Sequence, residues 1–292
     1  MLQQDLAAAS QFQPVDRAAW RALVDQDLKG APFERKLVSH TYEGLYLQPL
    51  YTADDWPSAG DPSGFSGVRP LTRGAVPLGN APHGWAICQE RFEADPAAAR
   101  AAILEDLAGG VDAILLRLDA CARGGLDPDD PRGASLAGLD GTMAYSARDL
   151  DQLLEGVHLG MIGVELEAGA AFLPAAALLA ATWDARGVSP AQARGAFNAD
   201  PLAVLARDGS LPYSLEEGLR RMAALARWTS GRYSGVRAVR VGTAAYHHGG
   251  ATATQDLAFA MATGLAYLRA MTEAGLSVDE AANQIRFSFA LG

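Results

Sequence analysis

Two adjacent histidines are the residues of this chain best suited to chemistry. They lie in Tyr246-His247-His248-Gly249-Gly250, between a β-branched run, Val236 to Val241, and a long helical pattern, Thr252 to Ala274. Imidazole gains or loses a proton near neutral pH, which suits it to acid–base work and to hydrogen bonding at a reacting group. A further short strand, Ile285 to Phe289, follows the helix, so the segment reads as one βαβ unit of a parallel sheet. Units of this kind place chemistry at the carboxyl ends of their strands, where this loop falls. A metal shared by the two histidines is not expected, because successive residues of an extended segment face opposite ways. The chain has no His-x-x-x-His, no Cys-x-x-Cys and no clustered carboxylate motif. It also has neither of the glycine-rich nucleotide loops.

The elements that must carry this loop form an alternating series. Strands are predicted at Trp85 to Phe92, Ala113 to Leu118, Gly160 to Glu165, Gly195 to Asn198, Val236 to Ala244 and Ile285 to Phe289. Helices are predicted at Asp95 to Ala108, Ser146 to Gly156, Ala171 to Arg186, Ser214 to Thr229 and Thr252 to Ala274. Short apolar strands, each followed by a helix, imply a parallel sheet covered by helices. The expected fold is therefore α/β, a TIM-type (β/α) barrel of about six units where a closed one needs eight. An open parallel sheet leaves edge backbone unpaired; either the chain is cut before the remaining units, which is the leading expectation, or another chain closes it, or a strand is missed. Upstream, Asp16 to Lys29 places Trp20, Leu23, Val24 and Leu28 on one helical side, with Gly30 ending the helix. Residues 37 to 84 are rich in Pro, Gly and Asp and lack periodicity, as an arm wrapping a barrel or partner would. Residues 1–84 are thus expected to be a helix and arm for subunit contacts, and 85–292 a barrel domain.

Three ordered blocks give the chain a family resemblance. The segment from Tyr246 onward, with Tyr-His, a Gly/Ala-rich turn, an acidic residue and an Ala/Gly-patterned helix, resembles the fifth barrel strand and following helix of the adenosylcobalamin-dependent methylmalonyl-CoA mutase family. Leu37 to Asp54, LVSHTYEGLYLQPLYTAD, resembles its entry segment, and Pro70 to Gly74, PLTRG, its Pro-(Phe/Tyr)-Thr-Arg-Gly. In catalytic members of the family the histidine matching His247 contacts the substrate thioester and the tyrosine matching Tyr246 lies near the reacting centre. The resemblance assigns those roles here, either working or as vestiges. Asn198 matches a family asparagine, and Arg207 falls at the spacing of an arginine that meets the cofactor. Gln89 and Trp85 survive from a run that in catalytic mutases surrounds the acyl-CoA. The rest of that run is replaced: His83, Ala86, Cys88 and Glu90 stand where Arg, Thr, Arg and Tyr are expected.

That replacement, followed by ILEDLAGGVDAILLRLD, is similar to the small subunit of heterodimeric bacterial mutases, which shares the barrel without binding substrate or cofactor productively. The resemblance therefore implies a barrel that supports a catalytic partner subunit, or another copy of itself, in interconverting methylmalonyl-CoA and succinyl-CoA. Adenosylcobalamin belongs to the parent enzyme; no Asp-x-His-x-x-Gly, the family's cobalt-ligand loop, occurs here, so none is expected on this chain alone. Two alternatives stay open: a catalytic acyl-CoA mutase domain whose cobalamin domain is a separate chain, and a non-enzymatic binding module. Arg117 and Asp119, at the end of the second strand, are read as mouth-lining or as a structural pair, and the acidic loop at 125–133 as solvated.

Composition narrows the remaining classes. A chain of 292 residues that is 49% apolar can bury a full core. A net charge of −10 opposes nucleic-acid or anionic-membrane binding. Two cysteines, Cys88 and Cys121, are too few for a disulfide framework, and no leader or spanning pattern is read, so the expected compartment is the cytoplasm.

Overall fold

The structure is a computed structural model that describes residues 15–57, 60–79 and 84–291. His83 and the first residues therefore lie outside the described part. Two units are separable, 1–84 and 85–292.

In the first unit, Asp16 accepts from the Ala19 amide and starts helix α1, Arg17–Leu28. Lys29, not the expected Gly30, closes it in the left-handed conformation at φ 50°. The short helix α2, Phe33–Leu37, follows, then a two-stranded hairpin of β1, Ser39–His40, and β2, Tyr46–Leu47. Trp20 meets Phe33 edge-on at 6.3 Å and Arg21 stacks on the same ring at 3.7 Å. No residue of α1 is buried, so its apolar side is only partly covered within this unit. Tyr42 and Phe65 also stand exposed along the arm.

The second unit is built on six parallel strands in sequence order: β3 Cys88–Arg91, β4 Ala113–Arg117, β5 Gly163–Glu167, β6 Arg194–Ala199, β7 Gly235–Gly242 and β8 Ile285–Ser288. Sequential order with helical crossovers makes this a partial TIM-type barrel. The covering helices are α3 Pro96–Ala108, α4 Ala120–Arg123, α5 Ala147–Leu153, α6 Phe172–Ala185, α7 Pro201–Asp208, α8 Leu215–Arg232, α9 Ala244–His248, α10 Ala253–Glu273 and α11 Val278–Gln284. Side chains of Asp95, Ser146, Ser214, Thr252 and Ser277 cap their helices, satisfying amides that would otherwise lack partners.

Alternation along each strand sorts residues between helix layer and lumen. Ile114, Leu116, Val164 and Leu166 face the helices and are buried. The core is densest where Trp183, Phe197 and Tyr233 meet between α6, β6 and α8, with ring centroids 5.5 to 6.3 Å apart. Among the described residues β3 and β8 are the sheet edges, as the strand count implies. Phe287 packs under Gly264 of α10, while Leu257, Met261, Leu265 and Phe289 leave an apolar face exposed beside that edge.

Several helices lie outside the predicted ones: α2, α4 and α7 are additional, α11 is signalled only by Ser277 as a helix start, and the Tyr246 loop is itself the short helix α9. Pro201 after Asp200, and Ala244-Ala245 after Thr243, supply the start signals that periodicity over so few residues does not.

Candidate functional site

The carboxyl ends of the strands enclose a cavity of about 410 Å³, lined in part by Glu90, Arg117, Glu167, Arg207, Arg240 and His248. Its chemistry follows from register. Glu90, Leu115 and Glu165 are abreast across β3, β4 and β5, and Arg117 is abreast of Glu167. The lumen thus receives charged residues from strands whose other face is apolar. Arg117 donates through Nε to Glu90 at 2.8 Å and through Nη1 to Asp140 at 3.2 Å, and Arg123 donates to the same Asp140 at 2.8 Å. Arg286 of β8 reaches across to Glu165 of β5. Arg240 of β7 pairs with Glu167 of β5, which also meets Arg207 of α7 at 3.3 Å. Burial alone would raise the Glu167 carboxyl, but Arg240, then Arg207, more than offset it and hold the group below the ordinary glutamate value.

A second buried carboxylate braces this lattice. Asp200, 1% exposed, begins α7 and accepts from the Ala203 amide at 3.2 Å, the Gly242 amide at 2.8 Å and the Tyr267 hydroxyl at 2.6 Å. One side chain therefore ties the ends of β6 and β7 to α7 and α10. Burial pushes it up to about 6, against the pull of Arg240 and these donors. A native value above the unfolded 3.8 means the folded chain holds the extra proton between the two. The contribution of this group to stability is therefore full below about 3.8 and declines as pH rises to about 6. Asp200→Asn is expected to remove that slope from the stability–pH curve. It should also cost about 1–3 kcal/mol at neutral pH, since an amide cannot accept from both sides. Denaturant melts at several pH values check this, and an unchanged slope would rule it out.

The histidine segment is held from both edges of the last strand pair. Thr243, fully buried, donates its amide to Ser288 O at 3.0 Å and accepts from the Ala290 amide at 3.2 Å. Its carbonyl accepts from the Tyr246 and His247 amides, each at 2.9 Å, which starts α9. Helical rather than extended backbone separates the three side chains. Tyr246 lies on Phe259 at 4.7 Å, His247 approaches Asp256 with Nδ1 3.2 Å from Oδ2, and His248 lines the cavity. All three sit past the carboxyl end of β7, but the residue with no counterpart in the family motif is the one in the cavity lining.

The other sequence-predicted residues disperse. Arg207 joins the cavity. Gln89 is exposed on β3 and, by alternation, points away from the side on which Glu90 lines the cavity. Asn198 is nearly buried in β6 at φ 52°, beside the register shift between Ala196 and Ala199. Arg117 and Asp119 are not a pair: Arg117 serves Glu90 and Asp140, whereas Asp119 caps α4 and accepts from the Gly138 amide and the Tyr145 hydroxyl. The 125–133 loop is only partly solvated, for Gly133 is buried against Asp127 O and Cys121 Sγ. Glu167 and Arg240, a buried ion pair of the site, were missed. Their signal was a charge in alternating register inside otherwise apolar strands, GVELE and AVRVG.

Among the described residues no group of three or more metal-binding side chains converges, and no helix is long and apolar enough to cross a membrane. The mouth arginines and carboxylates are paired with one another, and the cavity-facing histidine lies in Tyr-His-His-Gly rather than in a cobalt-ligand loop.

Fold and site together define a partial (β/α) barrel with a charged, internally paired mouth. The methylmalonyl-CoA mutase family model matches residues 40–292, and the chain belongs to that family. It is 36% identical to the methylmalonyl-CoA mutase small subunit of Streptomyces virginiae over 98% of this chain and 43% of the relative. The large subunit of the same organism is 29% identical over 94% of this chain and 37% of that protein. The methylmalonyl-CoA mutase of Rhizobium meliloti is 29% identical over 94% and 38%. The chain thus spans about two fifths of the length of these curated relatives.

Proposed function

We propose that this chain is the barrel part of a small-subunit-type mutase protein. In this reading it supports a catalytic partner in the adenosylcobalamin-dependent interconversion of methylmalonyl-CoA and succinyl-CoA, in the cytoplasm. The observation that carries the reading is the paired lumen. Glu165–Arg286 and Glu167–Arg240 span non-adjacent strands where an acyl chain would need room and unpaired donors. Opening the Glu167–Arg240 pair for a substrate would strand a buried carboxylate at a cost of several kcal/mol, and opening the more exposed Glu165–Arg286 pair would cost less. The loss of the aromatic and arginine run after Gly74 points the same way, as does the higher identity to a small than to a large subunit. Tyr246 and His247 are then remnants of a substrate site, and Arg207 serves to pair Glu167 and Asp208.

The partner surface in this reading has two parts. Residues 1–84 supply α1 and the exposed aromatic residues of the arm. The open edges β3 and β8, with the apolar face of α10, take further strands from a partner subunit or a second copy, since unpaired edge backbone and exposed apolar side chains favour a cover. The test is assay of the purified chain with added adenosylcobalamin and methylmalonyl-CoA, alone and with a large subunit. No succinyl-CoA and no retained cobalamin are expected from the chain alone, with co-elution when the large subunit is present. Turnover or stoichiometric cobalamin on the chain alone would overturn the reading.

A further inference from the structure

The pairing of His247 with Asp256 is not explained by a supporting role for the barrel. Asp256 lies in the first turn of α10, where the helix dipole favours a carboxylate, and its side chain is 7% exposed. Its Oδ2 is 3.2 Å from His247 Nδ1, while Oδ1 is buried without a hydrogen-bond partner among the described residues. A buried carboxylate with one unsatisfied oxygen is costly, and Nδ1 is the hydrogen-bonding group that meets the other. A carboxylate only accepts, so the bond places the ring proton on Nδ1. The residue's backbone is also held, because the His247 amide is bound to Thr243 O.

We propose that Asp256 is a positioning residue that fixes a proton of the His247 ring on Nδ1, so that in the neutral ring Nε2 is presented as an acceptor. The group His247 is built to meet is then a hydrogen-bond donor, a hydroxyl or an amide N–H of a ligand or partner chain. A bare carbonyl oxygen would need the opposite tautomer or a charged ring. The neighbour does not share this arrangement: His248 lines the cavity, and the two rings are 6.1 Å apart at 63°. The inference rests on this chain's geometry alone and does not depend on whether a partner supplies catalysis.

The test is long-range proton–nitrogen NMR of the imidazole rings on the basic side of the histidine range, with His247→Gln and His248→Gln assigning the signals. In the unmodified chain the Nδ1–H pattern is expected for His247. In Asp256→Ala it should give way to the Nε2–H form that unconstrained imidazole prefers, while His248 stays unchanged. Asp256→Asn, which keeps the side-chain shape, guards against a fold that fails for lack of volume, and circular dichroism reports on folding in each case. An Nε2–H pattern for His247 in the unmodified chain would overturn the proposal. So would the same tautomer in natively folded Asp256→Ala.

Discussion

Replacing Arg240 by leucine is expected to cost about 3–5 kcal/mol at neutral pH, the usual penalty for removing one partner of a buried ion pair. The side chain is 18% exposed and its main partner Glu167 only 7%. Without the guanidinium, Glu167 keeps only Arg207, at 3.3 Å, and Asp200 loses the cation whose Nε is 3.7 Å away. The pH dependence separates this from a simple packing defect. In the unmodified chain Glu167 lies below its ordinary 4.5, so its contribution is fully present above that value and is lost as pH falls through the lowered native one. In the variant burial dominates, and Glu167 takes up its proton at higher pH than in the unfolded chain. The gap between the two proteins should therefore narrow as pH falls from 7 to roughly 5. Urea unfolding at both pH values measures it; a gap of the same size at both would mean that lost packing, not a stranded carboxylate, is the cause.

Gly195→Ala should be at least as damaging, for a steric reason. Gly195 sits at φ +131°, where L-residues are strained, and pairs with Val164 across β5 and β6. A Cβ there would meet Val164 O at 1.8 Å and its carbonyl carbon at 2.5 Å, both backbone atoms that cannot swing aside. The strands must part or the register must shift, so the loss should exceed about 3 kcal/mol, above the 1–3 kcal/mol of backbone strain alone. Gly187→Ala, at φ +69° with nothing within 4 Å of its Cβ, is the control and should lose only the strain. Hydrogen exchange should show lost protection in β5 and β6 for the first variant and near-native protection for the second. Equal, small losses in the two would refute the steric argument.

The barrel layout was legible because it is written in local terms. Alternating short apolar strands with capped helices needs only a strand run and a following Asp, Ser or Thr, and the six-strand order from β3 to β8 is what such a series produces. Helices α7 and α9, of eight and five residues, left no period to read. The loop expected at Tyr246 turned helical because Thr243 O gathers two amides, a fact of tertiary anchoring to Ser288 and Ala290.

By itself the sequence determined the class of fold and the family, while the charges Glu165, Glu167, Arg240 and Arg286 stood in it unremarked among apolar strand residues. Only the tertiary structure decided who neutralises whom. Glu165 and Arg286 are 121 positions apart, and no spacing rule links them. They meet because parallel strands in successive order curve around a common lumen, so that partners are chosen by strand position and height rather than by distance along the chain. The histidines followed the same logic. The change from extended to helical backbone over Ala244–His248 rotates successive side chains by about 100° instead of 180°, which sends His247 to Asp256 and His248 to the cavity.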